Sequence, residues 1–372
     1  MMKSRLFVVN SDTLRSTVNT HIASIFVPSL EGNQWVKTIA DLMADLLQIE
    51  IGDYIFLWET RSDNQKSKIH GVYRAISKPY YQCDDANDQA PLKIRIEKAY
   101  DFENAVDEYD VLNNPHIKSD LWTIIGKKVA GKARGTTPLS LKEAGYLITL
   151  LTGLNPNAAF LPWNPERTVT IDNPLRVTLP AGLPVRPNVR PESLRSFDPN
   201  QLSFFGTDGN VVYEKVLETI FNQEMTNRNQ NFFASLGIDT SKVIWYSNYL
   251  PYSIEQSEMD YVIIESEDGV NFSKVFVIEF LKTELDESHI HRCLLYCKWV
   301  NETLCLGANI VAPIIVCRES VDFIHGETQR RRQQKLIGTQ EYIENTEQMY
   351  RTKPLNIYTY DFATNPFFSK KR

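Results

Sequence analysis

Residues 257–282 read SEMDYVIIESEDGVNFSKVFVIEFLK, two apolar runs joined by a short polar stretch. The runs Tyr261–Ile264 and Val275–Ile278 are built from β-branched and aromatic residues, and turn-forming Ser266, Asp268 and Gly269 lie between them, so the segment predicts a hairpin. Asp260 opens the first run and Glu279 closes the second, places where a solubilising charge does not belong. Two carboxylates on neighbouring strand ends suit a divalent cation such as Mg2+ or Mn2+, which takes hard oxygen donors. A cation held there can activate a bound water and neutralise charge on a phosphodiester. Lys282, just beyond, is available to orient that water.

The flanking sequence predicts the elements around this hairpin. Upstream, VVYEKVLETIFNQEM (211–225) has Val212, Val216, Leu217, Ile220 and Phe221 at helical spacing, with Glu214 and Glu218 off that face. A strand region, KVIWYSNYL (242–250), precedes the hairpin. Downstream, ESHIHRCLLYCKWV (287–300) reads as a helix, and NIVAPIIVCRES (309–320) and PLNIYTYDF (354–362) as two further strands.

This order is similar to that of the PD-(D/E)xK, restriction-endonuclease-like nucleases, and within them the NucS and RecB-like group. The resemblance covers about residues 210–362 and implies a mixed sheet flanked by helices. It assigns catalytic positions to Glu214, Asp260, Glu279 and Lys282, with Asp260 and Glu279 holding the metal and Glu214 preferred to Glu218. Tyr296 matches the tyrosine of that group's Q-x-x-x-Y signature. Two positions depart from the pattern. Leu281 stands two residues after Glu279, where the lysine belongs, and Arg292 stands in place of the glutamine. A bulge re-aims the strand residues after it, so either the lysine's role has shifted or catalysis is lost.

Towards the N-terminus, half of all the prolines fall between Pro156 and Pro199, a stretch that can sustain neither a helix nor a central strand. It reads as a linker or a wrapping arm, and divides the chain into units at 1–155, 156–205 and 206–372. The first unit offers a strand RLFVVN (5–10), a helix WVKTIADLMADLLQI (35–49), β-rich segments IGDYIFLWET (51–60), HGVYRAIS (70–77) and PLKIRIEKAY (91–100), then LWTIIG (121–126) and a closing helix SLKEAGYLITLLTGL (140–154). A small β-barrel with helices at its ends is expected. Asn10-Ser11 after the first strand, the turn Ile51-Gly52-Asp53 and the strand start Gly71 to Arg74 resemble the EVE and YTH branch of the PUA-like superfamily. That resemblance implies an aromatic cage for an extruded base, with Trp35, Trp58 and Trp122 as candidates; stacking suits such a task because every base has a π face.

The full sequence of 372 residues is 42% hydrophobic and 23% charged, the composition of a folded globular protein. No run of 18 apolar residues and no secretory signal pattern occurs, so a cytoplasmic location is expected. A net charge of −6 does not advertise a nucleic-acid binder. Basic residues nevertheless cluster at 126–134, 185–195 and 329–335, and Lys127, Lys128, Lys132 and Arg134 are candidate phosphate contacts. Cys293 and Cys297 are spaced i,i+4 with His289 one turn earlier, but the apolar residues around them and the lack of any CxxC pair favour core cysteines over zinc ligands. Phosphate-loop, HExxH and GxSxG motifs do not occur. The expectation is therefore a Mg2+-dependent endonuclease acting on DNA, with RNA not excluded. Cutting both strands would require a homodimer or larger assembly. The alternative is a nucleic-acid-binding or adaptor protein that keeps the nuclease fold without the activity.

Overall fold

A computed structural model describes residues 3–27, 35–60, 66–84, 88–113, 123–124, 136–180, 198–206, 210–252, 257–319, 329–364 and 366–372. They build a mixed α+β molecule with two sheets. The first contains β1 (Ser4–Val9), β2 (Ile22–Ile25), β3 (Tyr54–Glu59), β4 (Lys68–Ala75), β5 (Tyr80–Tyr81), β6 (Leu92–Lys98), β7 (Val106–Asp107) and β8 (Thr136–Leu139). Its main path runs β2-β6-β4-β3-β1-β8, and it curls into half a barrel. Only the β1–β3 pairing is parallel among those described.

Helices α1 (Ser11–Thr20), α2 (Trp35–Leu47), α3 (Glu108–Asn113) and α4 (Leu141–Leu154) cover this sheet. The Asn10-Ser11 pair that reads as the polar end of a strand is the start of α1. Asn10 Oδ1 accepts from Thr13 N at 2.8 Å and Thr13 Oγ1 lies 2.8 Å from Asn10 N, a reciprocal cap that satisfies two otherwise orphaned donors. Within LWTIIG, the described residues Thr123 and Ile124 are helical. Their amides donate to the buried carboxylate of Glu143, at 2.8 and 3.0 Å.

The second sheet runs β14-β13-β12-β11-β10-β9, from β9 (Val243–Tyr252), β10 (Ser257–Glu265), β11 (Lys274–Glu284), β12 (Val311–Glu319), β13 (Asn356–Tyr360) and β14 (Phe368–Lys370). Strands β9 to β11 form an antiparallel meander, and the hairpin at 257–282 is its second turn. Strands β11, β12 and β13 run parallel, which requires crossovers. These are α7 (Glu287–Thr303) and α8 (Gln329–Tyr350), while α5 (Lys215–Thr226) and the short α6 (Gln230–Phe233) precede the meander.

Side-chain alternation divides this sheet into two faces. Tyr261, Ile263, Phe276, Ile278 and Phe280 pack toward α5. Val262, Ile264, Val275 and Val277 pack with Tyr296, Cys297 and Val300 of α7. Phe221 of α5 centres the first face, with ring centroids of Phe232, Tyr261, Phe280 and Phe368 at 4.6–5.8 Å.

The two sheets are joined by α2 and α5. Three polar side chains of α5 at helical spacing each donate to a carbonyl of α2: Thr219 to Ala40 at 3.0 Å, Asn222 to Ala44 at 2.8 Å and Thr226 to Leu47 at 2.6 Å. Around them one apolar core runs from Phe7, Ile39 and Met43 to Tyr261 and Phe280. The proline-rich stretch behaves as an arm where it is described. Leu161 N donates to Ala99 O at 2.9 Å, Leu175 N to Pro79 O at 2.8 Å, and Val177 N to Gln223 Oε1 of α5 at 2.5 Å.

Candidate functional site

Strand register brings the two predicted metal ligands together. Tyr261 pairs with Ile278, so the next position along the hairpin sets Asp260 opposite Glu279. Alternation from Val262 and Val277 places both on the α7 face. Asp260 Oδ2 accepts from Phe280 N at 2.9 Å, a hydrogen bond that fixes the aspartate beside the neighbouring strand. Glu279 is fully buried, and its Oε2 accepts from Arg292 Nε at 2.9 Å and Nη2 at 2.6 Å. Its other oxygen, Oε1, is buried with no hydrogen-bond partner. A buried carboxylate oxygen without a partner is costly to keep.

Glu214 joins this group from the entrance of α5. Its carboxylate accepts from the backbone N–H of Lys282, and burial, then the charge of Asp260, pushes it up to about 6. Burial raises Asp260 as well, with Lys215 and Arg292 opposing. Glu279 is raised too, by burial first and then by Asp260. Arg292 is held charged by the same two carboxylates. Glu218 points elsewhere, to Lys215 Nζ at 2.5 Å and Asn248 Nδ2 at 3.2 Å.

Lys282 does not reach the carboxylates. Pairing of β11 with β12 slips between Leu281 and Glu284, so an irregularity does occur at the lysine. Its Nζ nevertheless donates to Val212 O at 3.0 Å and lies 5.6 Å from the Tyr213 ring centroid, on the α5 side. The cation that meets Glu279 is Arg292 of α7.

Three of the expected residues, Glu214, Asp260 and Glu279, therefore share one electrostatic cluster. Among the described residues, no three His, Cys, Asp or Glu side chains are placed to hold a metal ion by themselves. Mg2+ usually takes only one or two carboxylates and completes its shell with water and phosphate oxygens. Two buried carboxylates, one with an unsatisfied oxygen, fit that requirement. The cysteines are all free, and Cys293 and Cys297 are buried in α7, as core residues are.

The expected aromatic cage is placed differently. Trp35 is 8% exposed in the core shared with the second sheet, and Trp58 is 6% exposed in the core under α4, on the opposite face of the first sheet. They cannot clamp one base between them. Trp122, Lys127, Lys128, Lys132 and Arg134 lie outside the described residues, as does the basic stretch 185–195. A different aromatic group stands where the proline-rich arm crosses the sheet. Tyr100 stacks on Phe102 at 4.9 Å, Phe160 lies 5.1 Å from Tyr100 and is half exposed, and the Arg74 guanidinium sits 5.6 Å from the Phe160 ring. Its sequence signal is weak, because Phe160 arrives from the arm while Arg74 belongs to β4.

No protein-family profile matches the chain, and no curated protein matches it in sequence. Solved structures resemble part of it. A hypothetical protein from Leishmania major is 8% identical over 42% of this chain and 98% of its own, with a TM-score of 0.30. A protein from Agrobacterium tumefaciens is 13% identical over 40% of this chain and 92% of its own, with a TM-score of 0.27. The YTH domain-containing protein Mmi1, solved with RNA, is 13% identical over 41% of this chain and 83% of its own, with a TM-score of 0.25. Likeness at this level leaves function to the chain's own geometry. No described helix is long and apolar enough to cross a membrane.

Proposed function

We propose that this chain binds nucleic acid through its first sheet and cleaves phosphodiester bonds at the Asp260–Glu279 pair of its second, with Mg2+ or Mn2+ as cofactor. The observation that supports it most is the placement of two buried carboxylates side by side on adjacent strands, one of them with an oxygen that no protein group satisfies. Asp260 and Glu279 would hold the cation. When bound, it would supply an activated water and charge neutralisation at phosphorus. Glu214, whose carboxyl titrates near 6, is suited to accept a proton from an attacking water in neutral solution. The half-exposed ring of Phe160, with Tyr100 and Phe102 behind it, offers a stacking surface for a base of DNA or RNA. A break in both strands of a duplex would need two such sites, hence two copies of the chain.

A second reading has an observation of its own. Arg292 already neutralises Glu279, and Lys282 is turned to Val212, an arrangement suited to an adaptor that binds without cutting. The test is to incubate supercoiled DNA, single-stranded DNA and single-stranded RNA with the protein and Mg2+ or Mn2+, beside Asp260→Asn and Glu279→Gln. Cleavage by the wild type that falls at least about 100-fold in both variants is expected, since losing a cation contact removes several kcal/mol of transition-state stabilisation. Binding in a mobility-shift assay with no cleavage under any condition would establish the adaptor instead.

A further inference from the structure

The contact between Arg292 and Glu279 is one-sided. Both Nε and Nη2 converge on Oε2, at 2.9 and 2.6 Å, rather than bridging the two carboxylate oxygens, and Oε1 is left buried and unmatched. The carboxylate is fully buried while the arginine side chain is 42% exposed, so the guanidinium reaches the pair from the solvent side. A guanidinium has five donors in a planar fork that fits a phosphate as well as it fits a carboxylate. Asp260 also feels its charge, so this one arginine partly neutralises both carboxylates.

We infer that Arg292 is an exchangeable counterion: it neutralises Asp260 and Glu279 in the cation-free protein and transfers to a phosphate oxygen of bound nucleic acid when a divalent cation takes its place. The inference rests on the proposed cation site and assigns the positioning part, left vacant by Lys282, to a residue of α7. Two anions then compete for one guanidinium. Occupation of the cation site frees Arg292 for phosphate, and phosphate draws Arg292 away from the carboxylates. Each ligand therefore tightens the binding of the other by the same factor, as linkage demands.

The test is calorimetric titration of Mn2+ into wild type, Arg292→Gln and Arg292→Lys, each with and without a short single-stranded phosphorothioate oligonucleotide that resists cleavage. Arg292→Gln is expected to bind Mn2+ at least about tenfold more tightly than wild type without the oligonucleotide, because the competing charge is gone. The oligonucleotide should tighten Mn2+ binding to wild type through both the cation's own phosphate contact and the released Arg292, and should tighten it clearly less in Arg292→Gln, where only the first remains. Arg292→Lys keeps the charge and loses the fork, so it should bind Mn2+ weakly and gain less from the oligonucleotide than wild type does. Mn2+ affinity that is equal in all three proteins, or oligonucleotide coupling that is as large in Arg292→Gln as in wild type, overturns the inference and leaves the cation site standing. Absence of Mn2+ binding in all three cooperatively folded proteins overturns the cation site itself.

Discussion

Glu214 is the residue at which the electrostatics of the cluster can be read in solution. Its folded-state value near 6 lies above the ordinary 4.5, so the fold prefers the protonated acid. The stability this supplies is fully present below about pH 4.5 and is lost as the pH rises through about 6, a difference of about 2 kcal/mol. Glu214→Gln, studied in EDTA, should therefore raise the melting temperature by a few degrees at about pH 8 and leave it nearly unchanged at about pH 4.5, followed by circular dichroism. An equal shift at both values would mean that the carboxylate charge is not the cause. Asp260 and Glu279 stand out in the sequence because one opens an apolar run and the other closes one. Arg292 was visible only as a departure from a pattern, since nothing in HRCLLYCKW says that its side chain turns toward a strand.

At the scale of elements, the second sheet was the more readable. Its strands carry long β-branched runs, and α5 and α7 have apolar spacing close to the helical repeat, so pattern and tertiary burial agree. The first sheet yielded less. Helix α1 has only Leu14 and Val18 against the core and is fixed by its Asn10–Thr13 cap, a signal shared with many turns. Strands β2 and β8 have four residues each, too few for alternation to be distinctive. Trp35 and Trp58 were misleading as a shared cage because large aromatics are also what barrel interiors require, and burial cannot be told from sequence. Helix α5 is fastened to the second sheet in part by Phe221, which is enclosed by rings from α6, β10, β11 and β14. Phe221→Ala should cost about 3–5 kcal/mol in urea unfolding, the usual loss for a fully enclosed aromatic. A cost under about 1 kcal/mol would show that this aromatic cluster is not the fastening of α5 to the sheet.

Across the whole molecule, the two sheets are not beads on a string. The α2–α5 contact and the arm that crosses from β6 to α5 tie the Phe160 surface and the Asp260–Glu279 pair into one body. The proline content announced a segment that could be neither helix nor central strand, but its docking on both units depends on side chains far apart in sequence, such as Gln223 meeting Val177. If the proposed recognition surface and cutting site act on one strand, these contacts would hold the cut at a set distance from the recognised base. The claim on which all this turns is that the carboxylate pair takes a divalent cation. Electron paramagnetic resonance of Mn2+ measures it most directly, because the free ion's signal falls as the ion binds. Wild type should remove about one Mn2+ per chain from the free pool, and the double variant Asp260→Asn with Glu279→Gln should remove none. Equal uptake by both proteins, or no uptake by either, would contradict the account.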